Sequence, residues 1–539
     1  MSVMTGSLAY RRMRAPREDG ATLVEPPLES ATELLRHNAG LVAQLNVDLQ
    51  GRSLREVSAE VRRDVVAEAL RYTRSYRDVA LPTDGELASR PILVAGHQPQ
   101  LFHPGVWFKN FGLGRLAERN RAVAINLVID SDTMKVATLR VPGGTVRDPI
   151  VENVPFDKPA AELPYEQRTI RDLDCLRSFG QRAGRLIKPL VPEPLLDEFW
   201  PWVVEQSHNT SNLGECLARA RHCQEGAWGL STLELPQSRV CNLAGFHQFI
   251  CHLLAQLPRL WDIYNAAITE YRRANHVRSR VHPVPNLTAS EDWLEAPLWL
   301  WSDSDPHRRR VFVRQRGDQL VLSDRAGIEI LLNLTPEGEA HTAVAQLSEL
   351  QRQGIKLRTR ALITTMFARI VLGDLFLHGI GGAKYDEVTD LMIERFFGIE
   401  PPKYMTLTAT LRLPVVRGDD APASVAAVSD QVRQLRFHPE RFIETSIADG
   451  EAAKLIDTKR RWVETTQTSE NAKTRCHSIR DANERLSRFL LNESRQLLAE
   501  RDSIVGRMRA QAILSSREYA FCLYPEESLR RLMQQIAKA

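Results

Sequence analysis

Residues 91–135, PILVAGHQPQLFHPGVWFKNFGLGRLAERNRAVAINLVIDSDTMK, contain the pattern that decides the fold. An apolar run at 92–95 is followed by a turn rich in glycine, histidine and proline, and then by a segment with apolar residues at helical spacing. A second apolar run, at 123–129, ends at Asp130 and Asp132. The pattern predicts a β-strand, an α-helix and a parallel β-strand, the repeating unit of an open α/β sheet.

Polar residues follow both predicted strands. Open parallel sheets bind their ligands at the carboxyl ends of the strands, so we expect these residues to line one crevice. They are Gly96, His97, Gln98, His103, Lys109, Asn110, Asp130 and Asp132.

Two histidines six residues apart, His97 and His103, suit acid–base chemistry or the binding of a phosphate or carboxylate. A structural interpretation stays open for both, because His103 precedes Pro104 and its side chain would cap the helix. Asp130 and Asp132 suit an amine, a divalent ion or a ribose hydroxyl, or they only end the strand.

A second turn of the same kind occurs at 374–387, DLFLHGIGGAKYDE. An apolar strand at 375–377 runs into His378, and a helix follows the glycines Gly379, Gly381 and Gly382. Glycines permit a tight turn and let backbone amides approach an anion at the start of a helix. Upstream, Arg358 and Arg360 are expected to open a helical segment and to supply positive charge to a carboxylate or phosphate.

Composition narrows the class of protein. The chain has 539 residues, 43% of them hydrophobic, and a formal net charge of only +4, which predicts a globular protein of two or three domains without a general attraction to nucleic acid. It contains no apolar run long enough to span a membrane and no apolar signal core after its arginine-rich leader. We therefore expect a cytoplasmic protein with no membrane contact.

Seven scattered cysteines favour reduced thiols over a disulfide framework. The segment 216–252 includes Cys216, His222, Cys223, His247, Cys251 and His252, which invites a zinc interpretation, but it has no CxxC pair. Buried cysteines on helices are the preferred explanation. The arginines at 272–280 similarly suggest nucleic-acid binding or, more simply, a solvated face.

The predicted organisation has three parts. Residues 1–28 form a flexible N-terminal arm, and residues 29–415 form an α/β core with a lobe inserted at about 150–350, which contains an antiparallel meander near 296–321. Residues 416–539 form a helical domain, in which charged helices at 424–468 and 471–518 make an antiparallel hairpin or coiled coil.

The motifs resemble those of the bacillithiol biosynthesis cysteine-adding enzymes, a family of cysteine ligases. Gly96-His97-Gln98, the later Pro104-Gly105, Lys109 and the acidic pair Asp130 and Asp132 follow the order of that family's glycine turn, basic helix and acidic cluster. Thr359-Arg360 and the glycine turn after His378 resemble its Thr-Arg-Pro and Gly-Pro-Gly segments. His97 stands where the family has glutamine, and IDSD replaces its acidic cluster.

The resemblance implies a Rossmann-like core with an inserted connective lobe and a C-terminal coiled coil that forms a homodimer. It also implies an enzyme that forms an amide or related bond on a small polar metabolite, as the family joins cysteine to a glucosaminyl-malate. On the basis of this resemblance, catalysis is assigned to His97, His103, Asp130 and Asp132. The residues assigned to substrate binding are Gly96, Gln98, Lys109, Asn110, Arg360, His378, Gly379, Gly381 and Gly382.

No metal ligand is assigned, and the cofactor is left open: a nucleotide is the first candidate and a divalent metal the second. The alternative function is a non-catalytic protein that binds a nucleotide or metabolite in the same crevice and assembles through its coiled coil.

Overall fold

The computed structural model describes residues 13–44, 46–79, 87, 89–415, 425–443 and 450–538. The described strands, in chain order, are β1 (Thr22–Glu25), β2 (Ile92–His97), β3 (Val123–Val128), β4 (Thr133–Met134), β5 (Thr138–Gly144), β6 (Pro149–Pro155), β7 (Leu163–Pro164), β8 (Leu233–Pro236), β9 (Ala289–Ser290), β10 (Trp293–Ser302), β11 (Arg309–Arg316), β12 (Gln319–Ser323), β13 (Glu329–Asn333), β14 (Ile355–Thr359), β15 (Leu375–His378) and β16 (Tyr404–Ala409).

The described α-helices, in chain order, are α1 (Ala31–Gln44), α2 (Leu54–Arg74), α3 (Pro104–Arg119), α4 (Leu173–Ile187), α5 (Leu196–Asn209), α6 (Leu213–Ala227), α7 (Gln237–Val240), α8 (Ala244–Ala255), α9 (Leu257–Ala274), α10 (His341–Arg352), α11 (Ala361–Phe367), α12 (Ile380–Phe397), α13 (Val425–Phe437), α14 (Gly450–Glu464), α15 (Ala472–Ser487), α16 (Leu491–Leu514) and α17 (Glu526–Lys538). Single helical turns occur at Leu28–Ser30, Tyr165–Gln167, Ala368–Leu372, Pro439–Arg441, Arg488–Leu490 and Phe521–Leu523.

The protein is a mixed α/β structure whose main sheet has the strand order β1-β16-β15-β2-β3-β8. Neighbouring strands from β16 to β8 are parallel, and only β1 runs antiparallel, against β16. The central strand β2 pairs Ala95 with Asn126 of β3 and with Leu377 of β15. This arrangement confirms the predicted strand, helix and parallel strand of residues 91–135.

Helix α3 begins where the sequence indicates. Pro104 occupies the first turn, and the His103 side chain accepts a hydrogen bond from the Gly105 amide at 3.1 Å. Helix α3 buries Trp107, Phe108 and Leu113 around its circumference, and it contacts β16 and β2 of the main sheet. Helix α2 begins with a capping box between Ser53 and Glu56.

The N-terminal segment differs from the predicted arm. Residues 1–12 of the arm lie outside the described residues, but β1 is an edge strand of the main sheet. Gly20 N also donates to the Thr410 carbonyl at 2.8 Å. Pairing with a strand almost 400 residues away leaves no local sequence signal, because the partner supplies the backbone hydrogen bonds.

A second sheet is antiparallel, with the order β13-β12-β11-β10-β14 and β9 paired to β10. It contains the predicted meander and extends it to β14. Arg358 therefore lies in a strand and not in a helix, and Arg360 is the residue before α11. This corrects the predicted helical segment, because β14 is fixed by its pairing with β10.

The described chain divides into two compact units. The larger contains the described residues up to Val141, Glu152–Pro414 and the residues from Arg517 onward, and both sheets belong to it. The smaller contains Pro142–Val151 and the described residues between Val415 and Ser516. Residues from Arg517 onward thus belong to the core unit, whereas the sequence placed them with the C-terminal helices.

In its described residues the smaller unit has four α-helices, α13 to α16, where the sequence predicted two long ones. Its own small core contains Ala452, Leu455, Ile456 and Leu486. None of the helices in the described parts of the chain combines the length and the apolar character that crossing a membrane requires.

Candidate active site

A cavity of about 700 Å³ lies in the larger unit, at the carboxyl ends of β2 and β15. Residues from the second sheet, including Trp299 and Arg310, form part of its wall. Of the residues assigned to the site from sequence, those that line the cavity are Gly96, His97, Gln98, His103, Lys109, Asp132, Arg360, His378, Gly379, Gly381 and Gly382.

Lys109 is a buried amine in the cavity wall. The residue is only 2% exposed, and its Nζ donates a hydrogen bond to the Gly96 carbonyl at 2.6 Å. Burial lowers the pKa of Lys109 to about 7. The positive charge of Arg221 also lowers this pKa, whereas the negative charge of Glu225 raises it. Near neutral pH the amine is therefore present in both its charged and its neutral form.

His97 is an uncharged imidazole at the end of β2. Burial lowers its pKa to about 3, and the charge of Lys109 adds to the effect. Nδ1 lies 3.2 Å from the Gln98 carbonyl, so its proton is assigned to that nitrogen and Nε2 is left as an acceptor. A neutral histidine can exchange protons with a ligand, but it cannot neutralise an anion.

His103 has the structural role that the sequence left open, since it caps α3. Its other nitrogen, Nε2, lies 3.8 Å from Glu518. Burial lowers the pKa of His103 to about 4, with Arg517 acting in the same direction and Glu518 against both. His103 lines the cavity as an uncharged group whose Nδ1 is already engaged by the helix.

His378 is held by a carboxylate. Nε2 lies 2.8 Å from Asp386 Oδ2, and Arg369 contacts the same carboxylate at 2.6 Å. Burial alone would raise the pKa of Asp386, but the charges of Arg369 and His378 outweigh it and hold the pKa below its usual value. The ionised Asp386 accepts the Nε2–H of His378, which leaves Nδ1 as the nitrogen that can take up or release a proton.

The glycine turn begins α12. Gly379 precedes the helix without a side-chain cap, so amides of the first turn are available to a ligand. A Cβ at Gly379 or Gly381 would meet no atom within 4 Å, whereas one at Gly382 would lie 2.6 Å from His378 Nδ1. None of the three glycines has a positive φ: Gly379 is extended, with φ −80° and ψ 170°, and Gly381 and Gly382 lie in the first turn of α12, so no left-handed backbone requires glycine at these positions.

Asp132 joins two walls of the cavity. Gln98 Nε2 donates to its Oδ2 at 3.0 Å, and Arg308 approaches its Oδ1 at 3.2 Å. Arg308 also stacks on Trp299, with 4.7 Å between the guanidinium carbon and the ring centre, and its Nε is buried without an acceptor among the described residues. An anionic ligand would supply that acceptor.

Arg360 was expected to supply positive charge to a ligand, but its guanidinium is already paired with protein groups. It donates to Glu295 at 2.7 Å and to the Leu298 carbonyl at 3.2 Å, and it stacks on Trp299. Arg358 forms a bidentate pair with Glu166, with both distances 2.9 Å. Neither guanidinium is therefore an unpaired cation in the cavity.

Two assigned residues lie outside the cavity. Asn110 donates to Glu225 at 2.8 Å inside a buried network with Trp107 and Arg221, so it is a structural residue. Asp130 faces a separate, smaller cavity and accepts a hydrogen bond from Ser238 N at 2.9 Å. Successive residues after a strand point to opposite sides, which separates Asp130 from its neighbour Ser131.

Several lining residues were not identified from sequence. They come from distant segments and carry no local motif: Gln237, Trp299, Arg308, Arg310, Tyr385, Asp386, Thr408 and Arg517. Asp386 alone had a usable signal, because its position eight residues after His378 places it on the helix that follows the strand.

Other sequence alternatives have structural explanations. Among the described residues no three histidine, cysteine or acidic side chains come together as a metal site. Nδ1 of His222 forms a hydrogen bond of 2.6 Å with the Tyr76 hydroxyl. All seven cysteines are free thiols. Arg272 donates to carbonyls of the loop that follows its helix, including that of Val284 at 2.7 Å.

No family model matches this chain, and no curated protein matches it either. The assignment of a function therefore depends on the residues and geometry of the cavity.

Proposed function

We propose that the protein is an enzyme that joins an amine to a carboxylate-bearing small metabolite by an amide or related bond, in the manner of the cysteine ligases that its motifs resemble. One observation carries the proposal. A single cavity contains the His378–Asp386 pair, the buried amine of Lys109 and the unsatisfied guanidinium Nε of Arg308. Proton-transfer groups and an anion-binding group thus face the same ligand space.

The strand order supports a Rossmann-like core. Numbered along the chain, the parallel strands β2, β3, β8, β15 and β16 lie in the order 3-2-1-4-5. This is the order of the first five strands of a Rossmann sheet, whose ligands bind where the order reverses. The reversal falls between β2 and β15, where the cavity lies.

The chemistry assigns a task to each group. An ammonium substrate must lose a proton before it can attack a carboxyl carbon that ATP has activated as an acyl phosphate or acyl adenylate. The C–N bond would form as the C–O bond to phosphate or AMP breaks, and Nδ1 of His378 would accept the proton while Asp386 stabilises the resulting imidazolium. Arg308 and the first-turn amides of α12 would hold the carboxylate or phosphate of the substrate. Lys109 would bind that anion when protonated and exchange a proton with the substrate when neutral.

The test is a condensation assay on the full-length protein. Pairs of amines and carboxylic acids, beginning with cysteine and a glucosaminyl-malate, are incubated with and without ATP, and products are identified by mass spectrometry. We expect His378→Asn to lower the rate of product formation by about 10²–10⁴-fold, the usual effect of losing a general base. His307→Asn is the matched control, because it removes a surface His–Asp contact of 2.7 Å outside the cavity.

A thermal-shift measurement on the same panel distinguishes the non-catalytic alternative. Stabilisation by a nucleotide or metabolite without any product would favour a binding protein that uses the same cavity. Equal rates for His378→Asn and His307→Asn would remove His378 from the mechanism.

Homodimer formation through the C-terminal helices belongs to the same proposal. The helical unit exposes several large apolar side chains, a feature typical of interaction surfaces: Phe437, Phe442, Val463, Phe489, Leu491, Val505 and Met508. Light scattering on the full-length protein should give twice the chain mass, and Leu491→Asp should shift the mass towards that of one chain. A monomeric wild-type protein would contradict this part of the proposal.

A further inference from the structure

A second cavity of about 270 Å³ lies on the other side of the strand ends that form the main cavity. Consecutive residues alternate between the two cavities. Gln98, Ser131, Gln237 and Thr359 line the main cavity, and their chain neighbours Pro99, Asp130, Ser238 and Arg358 line the second. The two spaces are therefore separated by a wall one residue thick.

The cations of the second cavity are already paired. Arg358 is held by Glu166, Arg239 contacts Glu68 at 2.7 Å, and Lys356 lies 3.3 Å from Asp303. An anionic ligand would have to compete with these carboxylates. The cavity is thus poorly suited to a phosphate or a carboxylate.

One carboxylate lacks a cation. Glu166 is paired with Arg358 and Glu215 with Arg219, but no described lysine, arginine or histidine forms an ion pair with Asp130. Among the residues that the structure describes, Ser238 alone donates hydrogen bonds to the two carboxylate oxygens of Asp130, through its amide and its hydroxyl. When each of these ion pairs is counted as neutral, Asp130 is the remaining charged group of the cavity, and no cation balances it.

A second acceptor is unsatisfied. Asn242 Oδ1 is buried and has no hydrogen-bond donor among the described residues. Asn242 lines the same cavity as Asp130, and Asp130 is only 8% exposed. Burial raises the pKa of Asp130 to about 7, and the charge of Glu166 acts in the same direction. A cation bound in the cavity would favour the ionised form of Asp130 and so lower this pKa again.

We propose that the second cavity binds the ammonium group of a small amine, with Asp130 and Asn242 as its acceptors. A primary ammonium has three donors and a charge, which match an unpaired carboxylate and an orphan amide oxygen. At 270 Å³ the space equals about nine waters of liquid volume, enough for an amine the size of an amino acid. This site is separate from the reaction proposed for the main cavity.

The experiment measures binding of n-propylammonium to the full-length protein by ligand-observed NMR, above the pKa of Asp130, with propanoate as the anionic probe of similar size. We expect saturable binding of the amine. Propanoate, which the main cavity is proposed to hold through Arg308, should bind Asp130→Asn and the wild type equally. Asp130→Asn should weaken amine binding by about tenfold or more, the effect of losing one charge-assisted contact. Asn242→Asp should strengthen it, because it adds a second carboxylate.

Asp262→Asn is the matched control, since Asp262 is exposed and lines neither cavity, and it should leave the affinity for the amine unchanged. Thermal unfolding of each variant establishes that it is folded. A change of propanoate affinity in Asp130→Asn, failure of the amine to bind, or loss of amine binding in Asp262→Asn and not in Asp130→Asn would each overturn the proposal. None of these outcomes depends on whether the main cavity forms an amide bond.

Discussion

Lys109 shows how burying a single ionisable side chain can reduce stability. A buried ammonium without a carboxylate partner is costly, and the protein responds by lowering its pKa from the usual 10.5 to about 7. Between these two values the unfolded chain holds one more proton than the folded protein. The free energy of unfolding should therefore rise as pH increases from about 7 towards 10.5, and the contribution should be constant below that window.

Lys109→Met should remove this penalty. We expect the variant to gain roughly 2–4 kcal/mol at neutral pH, which is the linkage energy less the lost hydrogen bond to Gly96. Urea unfolding across the window should also give a flatter pH profile than that of the wild type. Lys188→Met, which alters an exposed lysine, is the control. A less stable Lys109→Met with an unchanged pH profile would mean that Lys109 is charged and paired.

Helix α3 depends on a close approach to β16. A Cβ at Gly105 would come 2.2 Å from the Ala409 carbonyl oxygen, and backbone atoms cannot move away as a side-chain end can. Gly105→Ala should therefore cost about 1–3 kcal/mol or more through overpacking and shift the residues at the mouth of the cavity.

Gly114→Ala is the matched change in the same helix, because its nearest neighbours would lie 3.4 Å away, in ordinary contact. It should be neutral or stabilise the protein by up to about 1 kcal/mol. Chemical denaturation of both variants measures the difference. Equal stability would show that the backbone near Ala409 relaxes.

Elements with local signals were predictable, and elements fixed by distant partners were not. Residues 91–135 contain both the periodicity of their strands and the cap of their helix, so their structure follows from the sequence. Strands β1 and β14 take their conformation from β16 and β10, which are remote in the chain. Pairing of that kind cannot be inferred from a single sequence.

The same reasoning applies to the site. Histidines and glycines at the ends of two strands marked one edge of the cavity, and most of them line it. The sequence did not reveal that Asp130 and Ser131 face different cavities, or that Arg308 and Arg517 approach from segments far along the chain. Burial, which sets the protonation of Lys109 and His97, is likewise a property of the folded protein.

At the scale of the molecule, the segment from Arg517 onward is part of the core unit although it follows the helical unit in the chain. Phe521 packs against Trp107, with 4.3 Å between ring centres, and against Phe199 at 5.0 Å. Its amide donates to the Phe102 carbonyl at 2.9 Å. The end of the chain therefore supports the helix that carries Lys109.

Two deletions test this division. Removing residues from 517 onward should leave an unstable core, because Phe521→Ala alone is expected to cost about 3–5 kcal/mol. Replacing 415–516 with a flexible linker should leave the core folded, since Arg517 remains within reach of Thr410, to whose Oγ1 it donates at 3.2 Å. Near-ultraviolet circular dichroism and thermal unfolding report the outcome for each protein. If the core lacking 415–516 unfolds and the core lacking its last residues survives, the helical unit supports the fold and the C-terminal segment does not.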